Sequence, residues 1–150
     1  MTTTLSADLI AGRLAESLPD AVVESTERDV WVRAESVHDV CRFLKDDADL
    51  KFDYLVSISA VDYIEHFEVV YHLVSMAHNH GAVVKTRCWG REEPSVPSVT
   101  GLWQGADFQE REVYDLMGVT FTGHANLKRL LLWEGYPGHP QRKDYLEPPR

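Results

Sequence analysis

Leu5, Leu9, Ile10, Leu14 and Leu18 recur at helical spacing, and with Ser6 as a cap they predict an amphipathic helix over 6–18, ended by Pro19. The period then changes. Residues 21–26 and 29–33 carry Val22, Val23, Val30, Trp31 and Val32 and read as two short strands of a hairpin joined through Glu27 and Arg28. Val37, Val40, Cys41 and Leu44 share one face of a second helix over about 36–47, where Ser36 and Asp39 have the spacing of a capping box. Residues 52–64, 67–76 and 82–89 alternate or are rich in β-formers and read as three more strands. The last two pair across His78-Asn79-His80-Gly81, a run able to supply the positive φ values of a tight turn.

The order α-β-β-α-β-β-β is satisfied by a helix layer on one face of a mixed or antiparallel sheet, so the expected fold class is α+β, two-layered. A proline-punctuated loop, 92–98, closes this part, and Pro97 suits the first turn of whatever helix follows. From about Ser98 the pattern is helical again, with a break at Gly101 or Gly105, up to Gly118, which is placed as a C-terminal cap. Beyond it, 119–121 reads as a short extended piece and 126–132 as one helical turn. Pro137, Gly138, Pro140, Pro148 and Pro149 make the remainder an irregular arm that needs a surface to lie against. The expected division within one domain is therefore 1–97 as the α+β part, 98–118 as a charged helical segment packed on it, and 119–150 as an extended docking arm.

Charge and composition narrow the function classes. A net charge of −9 argues against nucleic acid as the main partner, since phosphate binding needs clustered Lys and Arg. The cations are uneven: Lys128, Arg129, Arg142, Lys143 and Arg150 make the last stretch basic, while residues 1–127 are strongly acidic. No apolar run approaches the ~20 residues of a membrane span. The first residues lack the features of a secretory or transit signal, so the expected location is cytoplasmic. Cys41 and Cys88 lack the short spacing of a zinc or iron-sulfur site and read as reduced structural thiols.

Candidate chemistry concentrates between Gly105 and Tyr145. On a helical wheel, Ala106, Val113, Leu116 and Met117 share one arc and Arg111, Glu112 and Asp115 the opposite one, so Arg111 and Asp115 can pair at i, i+4. Glu110 falls on the apolar arc. A carboxylate there is either half-buried and paired with a cation, for which Lys128, Arg129, Arg142 and Lys143 are nearest in sequence, or it faces a partner surface. A solvated face is the plain reading of Glu-Arg-Glu. Acid-base or metal chemistry by Glu110, Glu112 and Asp115 with His124 or His139 is the enzymatic one. No HExxH, GxSxG, Walker or GxGxxG motif supports it. His78 and His80 could chelate a metal, or serve the turn that contains them.

The run Glu110-Arg111-Glu112-Val113-Tyr114-Asp115-Leu116-Met117-Gly118-Val119-x-Phe121-x-Gly123-His124, followed by Leu127-Lys128-Arg129-Leu130-Leu131 and Gly138-His139-Pro140-x-Arg142-Lys143-Asp144-Tyr145, resembles the signature of the thirty-kilodalton subunit of respiratory complex I, the NADH:quinone oxidoreductase. Trp103-x-Gly105-Ala106-Asp107-Phe108 extends the likeness. The resemblance implies a subunit without a cofactor of its own, docked on the forty-nine-kilodalton, hydrogenase-large-subunit-like partner. That partner and its neighbours carry the iron-sulfur clusters and quinone, or a NiFe centre in related enzymes. It implies a peripheral position on the cytoplasmic face of the cell membrane, and no catalytic, cofactor-binding or metal-binding residues in this chain. It makes Glu110, Arg111, Glu112, Asp115, Gly118, Gly123, His124, Lys128, Arg129, Gly138, His139, Pro140, Arg142 and Lys143 docking and assembly residues. Two departures are visible: Ala125-Asn126 stands where the family usually has Pro-Asp, and the sequence stops soon after Tyr145. Equivalent subunits occur in membrane-bound [NiFe] hydrogenases, F420H2 dehydrogenases and ferredoxin-type NDH complexes. The readings from other classes are a stand-alone acid-base enzyme and a free interaction module.

Overall fold

A computed structural model describes residues 3–146. Its elements are β1 (Thr3–Thr4), α1 (Ala7–Ser17), β2 (Val22–Ser25), β3 (Asp29–Val32), α2 (Val37–Asp46), β4 (Tyr54–Asp62), β5 (His66–Ser75), β6 (His80–Trp89), β7 (Ser95–Pro97), α3 (Ala106–Met117) and β8 (Thr120–Thr122). A 3-10 turn, Ala34–Ser36, leads into α2. The fold is α+β and its main sheet is mixed, in the order β2-β3-β6-β5-β4. β4, β5 and β6 form an antiparallel meander, β3 runs parallel to β6, and β1 extends the same edge of β6 in parallel.

Alternation decides which face is buried. On β6, His80, Ala82, Val84, Thr86 and Cys88 point inward, and on β5 so do Phe67, Val69, Tyr71 and Leu73. Ile10 and Leu14 of α1 and Val37, Val40, Cys41 and Leu44 of α2 complete that core, as do Ala106, Val113 and Met117 of α3. Both cysteines are free, and burial pushes each thiol up to about 12, so they serve as small apolar side chains. On the other face Lys85 lies between Asp29 and Glu68, and the Arg87 guanidinium stacks 3.9 Å from the Trp31 ring centre. α3 lies along β4, where Gln109 Oε1 accepts the Ile58 N–H and occupies a group that would otherwise template another strand.

Several expected details differ. Gly81 lies within β6, and Asn79 (φ 56°) supplies the left-handed residue of the preceding turn. Ser36 makes no side-chain cap bond. Pro97 ends β7, which pairs in parallel with β8, so it starts no helix; the turns after it run to Gly105, and the helix begins at Ala106. Residues 126–132 form no helical turn but bend around α3. Pro148, Pro149 and Arg150 of the expected arm lie outside the described residues. Among the described residues no helix is long and apolar enough to cross a membrane.

Candidate functional site

Glu110 is fully buried, and its partners differ from the expected cations. Ser98 Oγ–H donates to Oε1 at 2.6 Å and the Val99 N–H to Oε2 at 2.8 Å. The basic arm does not reach it. Burial pushes the Glu110 carboxyl upward, and the two donors with a nearby His124 counteract part of that. The carboxylate thus fixes the link between β7 and α3 by holding the backbone where β7 ends. Trp103 Nε1–H, donating to the Phe52 carbonyl at 3.2 Å, pins the same link to the sheet side.

Asp115 is the second correction. The helical wheel places it on the polar arc beside Arg111, yet it too is fully buried, because the arm folds over that face. Its Oδ2 accepts the backbone N–H groups of Leu130, Leu131 and Leu132 at 3.2, 2.8 and 2.9 Å, and Arg129 Nη1 donates to Oδ1 at 2.9 Å. Successive N–H groups converging on one anion form a nest. Burial alone would raise the Asp115 carboxyl, but the Leu132 and Leu131 N–H groups, Arg129 and the Leu130 N–H outweigh it and hold it below the usual range. Arg111 does not pair with Asp115; it donates to the Lys128 and Arg129 carbonyls at 3.2 and 3.1 Å. Arg129 also donates to the Tyr136 and Gly138 carbonyls, each at 2.8 Å, so one guanidinium closes the arm into a loop.

The arm then caps the helix. The last carbonyls of a helix lack intrahelical donors and carry its negative end. Here His139 Nδ1–H donates to the Asp115 carbonyl at 3.0 Å, the Gln141 N–H to Leu116 at 2.9 Å, and Arg142 to Met117 at 2.6 Å and Gly118 at 3.3 Å. Arg142 also reaches the Arg91 carbonyl at 2.8 Å. Desolvation, together with Arg142 and Arg129, outweighs the opposing pull of Asp115 and lowers the His139 pKa. Gly118 makes the approach possible. Its φ is 76°, and a Cβ there would stand 2.5 Å from Arg142 Nη2 and 2.6 Å from the His139 ring.

A latch holds the far end of the arm. Arg91 grips Asp62 through two bonds of 2.7 and 2.8 Å and pairs with Asp144 at 2.8 Å, while the Lys143 N–H donates to Asp62 Oδ2 at 2.8 Å. The Arg91 bonds hold the Asp62 carboxyl well below the usual carboxylate range. Neither Asp62 nor Arg91 stands out in the sequence. Asp62 ends an ordinary β-strand, and the partners that make the latch, Arg91 and Lys143, lie far away along the chain.

The other expected residues scatter. Glu112, Lys128 and the Lys143 side chain are exposed, Pro140 is half-buried in the arm, and Gly123 supplies a turn with φ 87°. His124 Nε2 donates to the Asp107 carbonyl at 3.2 Å and lies 3.0 Å from Asp107 Oδ1, while its Nδ1 accepts the Asn126 N–H. Glu112, His124 and His139 line three separate depressions, so the set considered for acid-base work does not converge. His78 and His80 each use Nε2 on a backbone carbonyl, of Ala48 and Leu50, tying the β5–β6 turn to the loop before β4. What the arrangement does chemically is to fold the arm onto α3 with charge-assisted bonds and leave Leu131 and Trp133 facing solvent.

Comparisons with known proteins converge on one family. The profile of the family described as respiratory-chain NADH dehydrogenase, 30 Kd subunit, matches residues 30–149. The NADH-quinone oxidoreductase C subunit of Roseiflexus sp. (strain RS-1) is 46% identical over 139 residues, covering 88% of this chain and 79% of that one. The Roseiflexus castenholzii C subunit is 46% identical over 142 residues, covering 90% and 81%. Its Salinispora arenicola counterpart is 40% identical over 134 residues, a span of 87% of this chain but 54% of its own. Among solved structures, a chain of the membrane-bound sulfane sulfur reductase, an archaeal respiratory membrane complex, superposes with a TM-score of 0.75 at 28% identity, covering 92% and 84%.

Proposed function

The chain belongs to the family of the respiratory-chain NADH dehydrogenase 30 Kd subunit, and on that premise we propose that it docks on the large hydrogenase-like subunit of a complex I-type oxidoreductase. It is a subunit of such a complex, with other subunits as partners. In the proposed role it carries no cofactor and contributes no catalytic group; electrons pass through iron-sulfur clusters to quinone in its neighbours, at the cytoplasmic face of the membrane. NADH-to-quinone transfer coupled to ion translocation is the favoured parent reaction. A related sulfur-reducing, hydrogenase or F420H2 complex is the second reading, favoured by the likeness to the sulfane sulfur reductase chain.

One observation supports docking above the rest. The arm is held by buried ionic and backbone bonds while its apolar side chains Leu131 and Trp133 stay mostly in water rather than in the core. Aromatic anchors of this kind commonly dominate interfaces. Purification of the tagged chain from its native membranes in mild detergent, with the co-purifying chains identified by mass spectrometry, tests the proposal. The expected result is recovery of the large hydrogenase-like subunit, and an NADH-binding flavoprotein in the same sample selects the NADH-linked parent. Recovery of the chain alone, monodisperse, overturns it.

A further inference from the structure

We infer that the docking surface extends beyond the arm onto the end of the sheet, as one aromatic ridge that seats another subunit of the same complex. This rests on the subunit reading above and adds a second contact region to it. The ridge begins at Trp89, the last residue of β6, which is 65% exposed. Its ring lies 4.7 Å from that of His66, which stacks at 5.3 Å on Tyr63 in the β4–β5 turn. The Lys143 ammonium lies 5.9 Å over the Tyr63 ring and carries the ridge onto the arm. There Tyr145 shares a 2.6 Å hydroxyl bond with Tyr136, whose ring meets Trp133 edge-on at 5.3 Å. The two ends of the ridge come from opposite parts of the sequence and are joined by the Asp62–Arg91–Asp144 latch.

The backbone at the hairpin tip marks this end as a built surface. Ile64, 59% exposed at its tip, has φ 72°, a conformation that β-branched residues avoid. It is held there by its N–H donating to Asp62 Oδ1 at 2.7 Å and by Arg91 donating to its carbonyl at 2.9 Å. Strain kept in place by such a frame presents Tyr63 and Ile64 rigidly, which lowers the ordering cost of an interface. The charges identify the occupant's chemistry. Arg91 and Arg129 are already neutralised by Asp62, Asp144 and Asp115, whereas the Lys143 ammonium forms no ion pair among the described residues. The complementary surface is therefore apolar with a carboxylate opposite Lys143. Its occupant is a neighbouring subunit, since membership in a multi-subunit complex requires contacts and this patch is continuous with the arm.

Carbene labelling with mass spectrometry on the purified complex and on the isolated chain tests the inference. Labelling of Trp89 and Tyr63 falls in the complex together with that of Trp133. In reconstitution, Trp89→Ala with Tyr63→Ala weakens incorporation on the order of tenfold or more, as loss of interface anchors does. Lys143→Glu weakens it too and Lys143→Arg does not, while Leu9→Ala on α1 has no effect. Circular dichroism of each isolated variant separates lost docking from lost folding. Equal labelling of Trp89 and Tyr63 in both states, with Trp133 protected, overturns the ridge and leaves docking by the arm intact. Protection of the hairpin end in a homodimer of the isolated chain also overturns it. A complex that lacks this chain altogether instead overturns the subunit reading beneath it.

Discussion

Glu110 and Asp115 sit five positions apart on one helix, and both are excluded from water, yet their environments pull in opposite directions. Glu110 accepts two neutral donors and is raised by burial; Asp115 accepts three N–H groups and a guanidinium and is lowered. The first is a spacer between elements and the second an anchor for a chain segment. Removing the Glu110 carboxylate strands the Val99 N–H and the Ser98 hydroxyl. Glu110→Ala should therefore cost about 2–3 kcal/mol in denaturant unfolding. Glu110→Gln should cost clearly less, because its amide oxygen can still accept from Val99 and its NH2 can donate to the Ser98 oxygen. Equal losses in the two variants would show that those bonds do not hold the β7–α3 link.

At the scale of elements, α3 and the arm form a single unit in which each completes the other. Arg129→Ala removes a cation from a buried carboxylate and should lower stability by about 3 kcal/mol. Amide exchange at Leu130, Leu131 and Leu132 should accelerate with it, and Arg129→Lys should restore little, because an ammonium cannot fork among Asp115, Tyr136 and Gly138. Gly118→Ala should produce the same exchange signature at Gln141 and Arg142, at a cost of at least about 1 kcal/mol from backbone strain alone. Unchanged exchange in both variants would separate helix from arm. The helices and long strands of this fold are legible in the sequence because burial imposes periods of 3.6 and 2. The three-residue strand β7 is not, since three residues carry no period, and β8 is legible only as the extended piece at 119–121, without the strand it pairs with. The misplaced Glu110 is legible too, but its donors are not, being neutral groups that no charge pattern marks. Asp115 escapes for a related reason: a helical wheel reports distance from the core and is blind to an arm arriving from outside.

For the whole molecule, the charged contacts set an order of events in acid. Asp62 and Asp115 have folded-state values below their unfolded ones, so their stabilising contribution is complete above about pH 4 and is lost as pH falls through the lowered values. Glu110 behaves in the opposite sense. Its raised value means that protonation relieves a buried charge and favours the fold, so mild acid adds stability at Glu110 before the arm contacts weaken. The expected outcome on titration from pH 7 to 2 is release of the arm, reported by Trp133 and Tyr136 fluorescence, at higher pH than loss of sheet ellipticity. One shared midpoint would mean that arm and core unfold together. The order of the chain gives the clasp a further consequence. Because α3 precedes the segment that finishes it, any copy cut short before Arg142 ends with bare carbonyls at Met117 and Gly118, and one cut short before Arg129 leaves Asp115 uncovered as well. A truncated translation product would thus carry its own mark, a fraying helix end open to proteases, and only copies synthesised through the latch would present a closed surface for assembly.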